Sequence, residues 1–447
     1  MELNLDIAKK IYNQYNSNKT KYQKMYDYYI GKTDVLRNYP TTDRSNRKIV
    51  DNFIKAFIDE EVSFMTGIPV TYSTKDGNSD VIDDIEYNLN NVSYNIDTEL
   101  ATNLLIFGEA YELYYINEDK FKIKCFNPMN SYAYRDTEGK VQLFMYCYKK
   151  ELDDTNVYIE VIDDNFIYHM DENFKELEPA TPHYFECVPV GVAKLPNEYN
   201  DTLYNSIKYL QDAYEATMSD WSNEIADTRL AYLYLTGVDI DEETAAKMKQ
   251  MGIIQSSDSN SKAEWLVKNI NSDFIKQYRE IIKEDIYRVA QHVDNQVNVQ
   301  SNTSGVMLAT RLNCLRIKIT TQNKSMKNCI KTRLKCLFRY LDIAENKVYD
   351  YRLINIKPQL NLPQNDVEVA QIISQLNGKL SIRTGLERLS FITNGEAEFE
   401  KMLEEQKLME QNSMNSLDDI DTDINTGDDT YTDSIDTDDT NTGDINE

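Results

Sequence analysis

The stretch DTLYNSIKYLQDAYEATMSDWSNEIADTRL, residues 201–230, predicts one long helix, because its apolar side chains recur at helical spacing. Its other faces carry five acids, namely Asp212, Glu215, Asp220, Glu224 and Asp227. A compact insert follows at 231–270, where the strands AYLYLTG and AEWLVK enclose a short helix and a polar loop. Another long helix begins near Ser272, which is a suitable N-cap. Two long helices that flank an insert therefore organise the middle of the chain.

Residues 306–341 predict a third long helix, and this one is basic. It holds nine Lys and Arg residues between Arg311 and Arg339 and no acid before Asp342. A continuous helix of this length would span about 50 Å, but the polar run Thr320–Asn323 predicts a kink or a change of packing. The basic side chains singled out are Arg311, Arg316, Lys318, Lys324, Lys327 and Lys331. Two roles are open to them, namely contact with nucleic acid in a channel, or pairing with the acidic helix 201–230 of the same or a neighbouring subunit. The complementary charges favour pairing for most of them.

The N-terminal side of these helices predicts a mixed α+β region. An amphipathic helix runs from about Ile7 to a stop at Gly31, and a second helix covers Lys48 to about Met65. A third helix near 97–107 leads into GEAYELYYINEDKFKIKCFNP, where alternation around the polar NEDK turn indicates a β-hairpin. Short strands continue to about Pro196.

The C-terminal side predicts one more strand, YRLINIKPQL, and then a small helical region at 365–409. Residues 410–447 are expected to form a disordered acidic tail, because this part of the chain is poor in apolar residues. Residues 416–447 alone contain twelve acids and no base.

Composition excludes several classes of protein. No stretch approaches the roughly 20 apolar residues of a membrane span, and the acidic, helical N-terminus does not have the pattern of a signal peptide, so a cytoplasmic site of synthesis and assembly is expected. Six scattered cysteines and three histidines lack metal-ligand spacing, so neither a metal nor a cofactor is expected. The chain contains no phosphate-binding G-x-x-x-x-G-K-[ST] loop, which excludes a packaging ATPase.

The net charge of −27 is unusual for a protein that grips nucleic acid, since such proteins are usually basic. Even without the twelve acids of 416–447 the chain remains at −15. A surface that repels phosphate is useful to a protein along which DNA must slide. Charge alone does not separate that role from an absence of DNA contact.

The order of several segments resembles the portal proteins of long-tailed phages that infect Gram-positive bacteria. NRKIVDNFIKAFIDEEVSFMTGIPVTY (46–72) resembles the family's N-terminal helix with its Gly-x-Pro step, and FGEAYELYY (107–115) resembles its Phe-Gly-x-Ala-Tyr strand entry. Further similar segments are FNPMNSYAYRD (126–136), the helix and strand of 195–237, NTSGVMLATRL (302–312) and LPQNDVEVAQIISQLNGKLSIRTGLERL (362–389). The resemblance covers residues 22–409, and it rests on order and spacing because no single motif is highly specific. The chain departs from the family at DNQVNVQ, where Pro-Asp is common, and in its repetitive acidic tail.

This resemblance implies an α+β portal fold, a non-enzymatic subunit that assembles into a dodecameric ring around a channel. The implied parts are a mixed α/β wing (1–200 and 347–364), a long-helix stem (201–230 and 271–294), a small α/β clip (231–270), a tunnel loop (295–305), a long helix into the wing (306–346), a helical crown (365–409) and the tail (410–447).

The resemblance also implies site residues and partners. The tunnel-loop residues expected to face DNA are Asn295, Gln296, Val297, Asn298, Val299, Gln300, Ser301 and Asn302. The clip residues expected to dock a terminase or connector are Asp239, Asp241, Lys247, Lys249 and Trp265. The expected partners are copies of the same chain, double-stranded DNA that passes without sequence readout, the terminase large subunit, the head-to-tail connector or adaptor, and the major capsid and scaffold proteins. The expected location is the portal vertex of the capsid, with no membrane involved.

Two other functions remain as alternatives. A head-tail adaptor or scaffold protein without a DNA channel would leave the long stem-like helices without a purpose. A metal-dependent nuclease would need a tight cluster of carboxylates, and the acids of this chain are not distinguishable from a solvated acidic face.

Overall fold

The computed structural model describes most of the chain in two compact units, Met1–Gln364 and Asn365–Glu447. The described residues are 4–39, 45–228, 232–236, 241, 243, 262–266, 272–294, 310, 312–361, 366–376, 378–389, 392 and 395–421. Among them, no helix combines the length and the apolar character that a membrane span requires.

The first unit mixes helices and antiparallel strands, as the sequence predicts. Its described helices are α1 (Leu5–Tyr29), α2 (Asp34–Asn38), α3 (Phe53–Thr66), α4 (Asp80–Leu89), α5 (Ile96–Phe107), α6 (Leu203–Thr228), α7 (Ser272–Ala290) and α8 (Asn313–Glu345). Its described strands are β1 (Thr71–Thr74), β2 (Glu109–Asn117), β3 (Lys120–Phe126), β4 (Ser131–Arg135), β5 (Val141–Lys150), β6 (Asp153–Ile162), β7 (Phe166–Asp171), β8 (Glu176–Pro182), β9 (Val190–Lys194), β10 (Tyr232–Thr236), β11 (Lys262–Leu266) and β12 (Ile354–Lys357).

The strands form one three-stranded sheet, one five-stranded sheet and two isolated pairs. The three-stranded sheet has the order β3-β2-β9, and the five-stranded sheet is the meander β4-β5-β6-β7-β8. The predicted hairpin is β2–β3, and its turn residues Glu118 and Asp119 both have positive φ, as the tight turns that match strand twist require. The pairs are β1–β12 and β10–β11, so the two strands predicted in the insert pair with each other.

The main core lies where the long helices meet the three-stranded sheet. Helix α8 packs on β9 and β2, while α6 packs against α7. Buried side chains from five elements meet in this core, among them Phe57, Leu104, Ile207, Ile286 and Leu337. Each fully buried large apolar side chain contributes roughly 1.5–3 kcal/mol, so this core fixes α3, α5, α6, α7 and α8 relative to one another.

Gly108 makes the turn from α5 into β2 and has φ +81°. A Cβ atom at this position would lie 2.6 Å from both the carbonyl carbon and the carbonyl oxygen of Glu198. Glycine is therefore required at this position for two reasons, namely the left-handed backbone and the close approach of the chain that enters α6.

Helix α3 begins later than the sequence predicts, at Phe53 rather than Lys48. The preceding residues have no regular secondary structure, and α6 binds their backbone. Side chains at four-residue spacing on α6 accept N–H groups of this segment and of the first turn of α3, in the pairs Arg47 with Asn223, Ile49 with Ser219, Asp51 with Glu215, and Ile54 with Gln211. Backbone groups that a neighbouring helix satisfies do not need a helix of their own.

Helix α8 is continuous from Asn313 to Glu345, so the polar run that was expected to kink the helix or change its packing does not interrupt it. The last two residues of this run point inward. Gln322 and Asn323 are buried, and the Gln322 amide donates to Glu61 Oε2 at 2.6 Å. The helix ends at Asn346, which adopts the left-handed conformation with φ 56°. Residues 306–309 of the predicted helix lie outside the described residues.

The second unit contains α9 (Asp366–Gln375), α10 (Ile382–Leu386) and α11 (Gly395–Asp421). Helix α11 extends twelve residues beyond Met409, so the expectation of a disordered tail from residue 410 is wrong for 410–421. Its sequence is rich in Glu, Lys, Gln, Leu and Met, which have high helix propensity. Residues 422–447 lie outside the described residues, and so does most of the helix predicted within 241–252.

Candidate functional site around Glu61

The residues predicted to face DNA, Asn295 to Asn302, lie outside the described residues, as does Arg311. The structure does describe the two ends from which the chain enters and leaves this segment. The chain is described to Asp294 after α7, and it resumes as a continuous stretch at Leu312. The candidate site is therefore built from the residues that hold these two ends.

One buried carboxylate holds both ends. Glu61, in α3, accepts from His292 Nε2 at 2.8 Å and from Lys318 Nζ at 2.6 Å, both through Oε1. Its other oxygen accepts from Gln322, and Glu60 accepts from His292 Nδ1 at 2.7 Å. We call these five residues, Glu60, Glu61, His292, Lys318 and Gln322, the Glu61 cluster. The side chains of Glu61 and His292 are 1% and 0% exposed, so their contacts are shielded from water.

The protonation states in the Glu61 cluster follow from these contacts. Burial alone would lower the pKa of His292, but hydrogen bonds to Glu60 and Glu61 raise it above the ordinary value. Burial would likewise raise the pKa of Glu61, yet Lys318 and His292 lower it to about 2. The contacts within the cluster therefore favour the charged forms of both Glu61 and His292.

Further contacts tie the same region together. Lys318 Nζ also donates to the carbonyl of Ala290, the last residue of α7, at 3.1 Å. The Phe57 ring stacks on the His292 ring with 4.2 Å between centroids. Lys283 pairs with Asp294 at 2.7 Å, one residue before the undescribed segment. The end of α7 is thus bound to α3 and to α8 by several independent contacts.

Three acidic residues of α6 bind side chains of the N-terminal segment of the same chain. Asp212 accepts from Tyr28 Oη at 2.5 Å and pairs with Lys208, while Asp220 accepts from Tyr39 Oη. Glu215 is fully buried and accepts from Thr33 Oγ1 at 2.5 Å. Burial raises the pKa of Glu215 to about 7, although hydrogen bonds from Thr33 and Gln211 oppose that rise.

The last two acids singled out on α6 are Glu224 and Asp227. Glu224 lies in the last turns of α6 and is half-buried. Asp227 lies near the end of the helix, and its side chain is outside the described part.

The basic residues of α8 divide into two groups. Lys318, Arg333 and Arg339 each pair with an acid of another element, and none of these acids lies in α6. The acids are Glu61 for Lys318, Asp97 and Glu112 for Arg333, and Glu186 for Arg339, which also pairs with Asp342 of α8 itself. For these three residues the expected pairing with α6 in the same chain is not what the structure has. Arg316, Lys324 and Lys331 are exposed and Lys327 is half-buried.

Arg333 is the most deeply buried arginine or lysine among the described residues, with 1% exposure. Its guanidinium group contacts both carboxylate oxygens of Glu112, at 2.5 and 3.1 Å, and Asp97 at 2.6 Å. Tyr114 Oη also donates to Glu112, at 2.9 Å. This fork-to-carboxylate arrangement fixes the register of α8 on β2 and α5.

The predicted clip residues are only partly described. Trp265 lies in β11 opposite Leu233 of β10, and Asp241 is exposed. Asp239, Lys247 and Lys249 lie outside the described residues.

Sequence reasoning missed the Glu61 cluster, although a signal was present. Glu61 falls four residues after Phe57 and four before Met65, on the apolar stripe of α3. Gln322 similarly lies between Ile319 and Met326 on the apolar stripe of α8. A charged or amide side chain in such a stripe indicates a buried partner, because burial without one is costly.

A family model described as "Phage portal protein, SPP1 Gp6-like" matches residues 8–412. No curated protein matches the chain. Similar solved structures include the neck of an empty GTA particle computed with C6 symmetry, at 12% identity and TM-score 0.44, covering 73% of this chain and 86% of that chain. The neck of a native GTA particle computed with C12 symmetry is 11% identical with TM-score 0.47, covering 74% and 87%. A chain of the native gene transfer agent virion is 13% identical with TM-score 0.43, covering 73% and 86%.

Proposed function

Because this chain belongs to the SPP1 Gp6-like family of phage portal proteins, we propose that it forms the ring through which double-stranded DNA enters and leaves the capsid. A portal protein is a structural protein of the virion, located at the capsid vertex. The observation that carries the proposal is the family match over residues 8–412, which includes the α6–insert–α7 unit and all of α8.

The proposed mechanism involves no covalent chemistry. Copies of the chain close into a dodecameric ring by heterologous contacts, in which one face of a subunit meets a different face of the next. The tunnel loop, residues 295–305, touches the DNA backbone without reading sequence. Its neutral side chains suit transient contact, since they add no fixed attraction to phosphate.

The insert at 231–270 is the proposed docking site for the terminase during packaging and for the head-to-tail connector afterwards. The insert contains the antiparallel pair β10–β11, and β10 comes shortly after the end of α6 in the sequence. Assembly with major capsid and scaffold proteins takes place in the cytoplasm of the host.

Negative-stain electron microscopy of the purified protein tests the ring. We expect end-on views with about twelve subunits and a central hole of roughly 20 Å or more, wide enough for a duplex with the groove dimensions of B-DNA. A monomer or dimer that persists when the phage scaffold protein is present would refute the proposal. Metal-dependent DNA cleavage by that species would instead favour a nuclease.

A packaging assay tests the tunnel loop. Replacement of Gln296 or Asn298 by Lys places a cation in the proposed DNA path, so DNA should slow or stall there because phosphate attraction resists sliding. The matched control is Asn173→Lys, which adds the same charge at an exposed position between β7 and β8. Wild-type filling of capsids with both loop variants would contradict the assignment of the loop.

A further inference from the structure

The flanks of residues 295–311 converge on one side chain that belongs to neither flank. His292 lies two residues after α7 ends, and Lys318 lies in the second turn of α8. Both contact the same oxygen of Glu61, which comes from α3, more than 200 residues earlier in the chain. A direct contact also joins the flanks, from Lys318 Nζ to the Ala290 carbonyl.

The geometry at His292 fixes its charge. Each ring nitrogen faces a carboxylate oxygen, with Nδ1 on Glu60 at 2.7 Å and Nε2 on Glu61 at 2.8 Å. A carboxylate only accepts hydrogen bonds, so both nitrogens must carry protons. His292 therefore acts as a cation that bridges two acids of α3, and these charge-assisted hydrogen bonds are stronger than neutral ones.

Helix α3 is a firm base for this contact. Its inner face contributes Phe57, Ile58, Val62 and Met65 to the main core. Its first turn is held by α6, since the Ile54 N–H donates to Gln211 Oε1 at 3.1 Å. Movement of either flank away from Glu61 would leave buried charges without partners, which is strongly unfavourable.

We propose that Glu61 is a positioning residue, which fixes both ends of residues 295–311 through His292 and Lys318. The role as a tunnel-loop anchor rests on the proposed function, whereas the anchoring itself rests on the contacts. The Glu61 cluster keeps the end of α7 and the beginning of α8 at a set separation.

Hydrogen exchange measured by mass spectrometry on the full-length protein, without DNA, tests this role. Glu61→Gln removes the charge that both cations share, so peptides within 286–312 should exchange about tenfold faster or more. The matched control is Glu112→Gln, which removes a buried carboxylate from Arg333 of the same helix at a site remote from the loop. It should accelerate exchange in 109–126 and leave 286–312 unchanged.

A second pair of variants tests the same role if Glu61→Gln does not fold. Lys318→Met removes one of the two tethers and should accelerate exchange in 286–312. Lys318→Arg keeps the cation and should restore exchange close to wild type. Equal exchange in 286–312 for Lys318→Met and wild type would overturn the proposal, as would an equal acceleration by Glu112→Gln.

The two proposals fail in different ways. Absence of rings in electron microscopy would refute the portal function and leave the exchange comparison intact. Normal rings combined with unchanged exchange in the Glu61 and Lys318 variants would refute the anchor alone.

Discussion

Glu215→Gln should stabilise the protein at alkaline pH and leave it nearly unchanged at acidic pH. Burial raises the pKa of Glu215 from 4.5 to about 7, so the folded state disfavours the carboxylate form. A shift of this size corresponds to roughly 3 kcal/mol between the two protonation states. The contribution of Glu215 to stability is therefore fully present below pH 4.5 and is lost as the pH rises through about 7.

Glutamine suits this site because it cannot ionise and retains an acceptor. Its carbonyl oxygen can still accept from the Asp51 N–H, as Glu215 Oε1 does at 3.2 Å. The hydrogen bond from Thr33 to a charged oxygen is lost, which costs about 1–2 kcal/mol. The net gain expected at pH 8 is therefore about 1–2 kcal/mol, and at pH 5 the variant should be equal or slightly less stable.

Hydrogen exchange of peptides from residues 45–54 measures the effect where it arises, because α6 binds this segment through Glu215 and its neighbours. A gain of 1.4 kcal/mol slows exchange about tenfold. The control is Asp212→Asn, which removes one of the two acids that pair with Lys208 and should accelerate exchange at both pH values. A Glu215→Gln to wild-type ratio that is the same at pH 5 and pH 8 would refute the reasoning.

Two further predictions concern the loop ends and a glycine. Exchange in residues 286–294, corrected for intrinsic rates, should rise as the pH climbs from 6.5 through the raised pKa of His292. The reason is that loss of the proton removes a hydrogen bond to Glu60 or Glu61, while Lys318 and Phe57 stay in place. The variant His292→Gln should show no such step. Gly108→Ala should lower stability by about 2 kcal/mol or more in thermal melts, because both its φ of +81° and the Glu198 backbone resist a Cβ. Gly77→Ala, with φ +78° and open space, should lose only about 1 kcal/mol, and equal losses would contradict the steric part of the argument.

Local patterns predicted the elements whose structure depends on their own residues. The β2–β3 hairpin follows from alternation and a polar turn, and α6 and α7 follow from apolar spacing and, for α7, from Ser272. The stop at Gly31 was likewise predictable, since φ of +80° suits glycine at a helix end. In each case the deciding contacts lie within a few residues along the chain.

The start of α3 and the packing of the polar run in α8 have a different cause, since each depends on a residue far away in sequence. The segment before Phe53 has helical periodicity, but polar side chains of α6 bind its backbone. The polar run in α8 was expected to kink the helix or change its packing, and in the structure Gln322 of this run donates to Glu61. Periodicity reports which face is buried, and it does not report that a buried partner is polar.

Most of the Glu61 cluster could not be predicted from the sequence for the same reason. His292 is one of three histidines without metal-ligand spacing, and only the fold brings it between Glu60 and Glu61. The roles of the tunnel loop and the clip stay predictions, because those residues lie mostly outside the described part of the chain.

The buried Arg333 and the half-buried Lys318 of α8 change how the basic character of this helix is understood. Lys318 and Arg333 lie fifteen residues apart, which is about 22 Å along the helix, and each binds an acid from a different element. An ion pair inside the core adds little net stability over an apolar pair, but a displaced one is costly, so such pairs specify register more than they add strength. Part of the basic composition of α8 therefore serves to fix this helix against other elements of the same chain. Arg316, Lys324, Lys331 and Lys335 are the exposed cations among the described residues of this helix, and they remain available to DNA or a neighbouring subunit. Removing their charges should change assembly or DNA passage without lowering the melting temperature, whereas removing the charge of the buried Arg333 should lower the melting temperature.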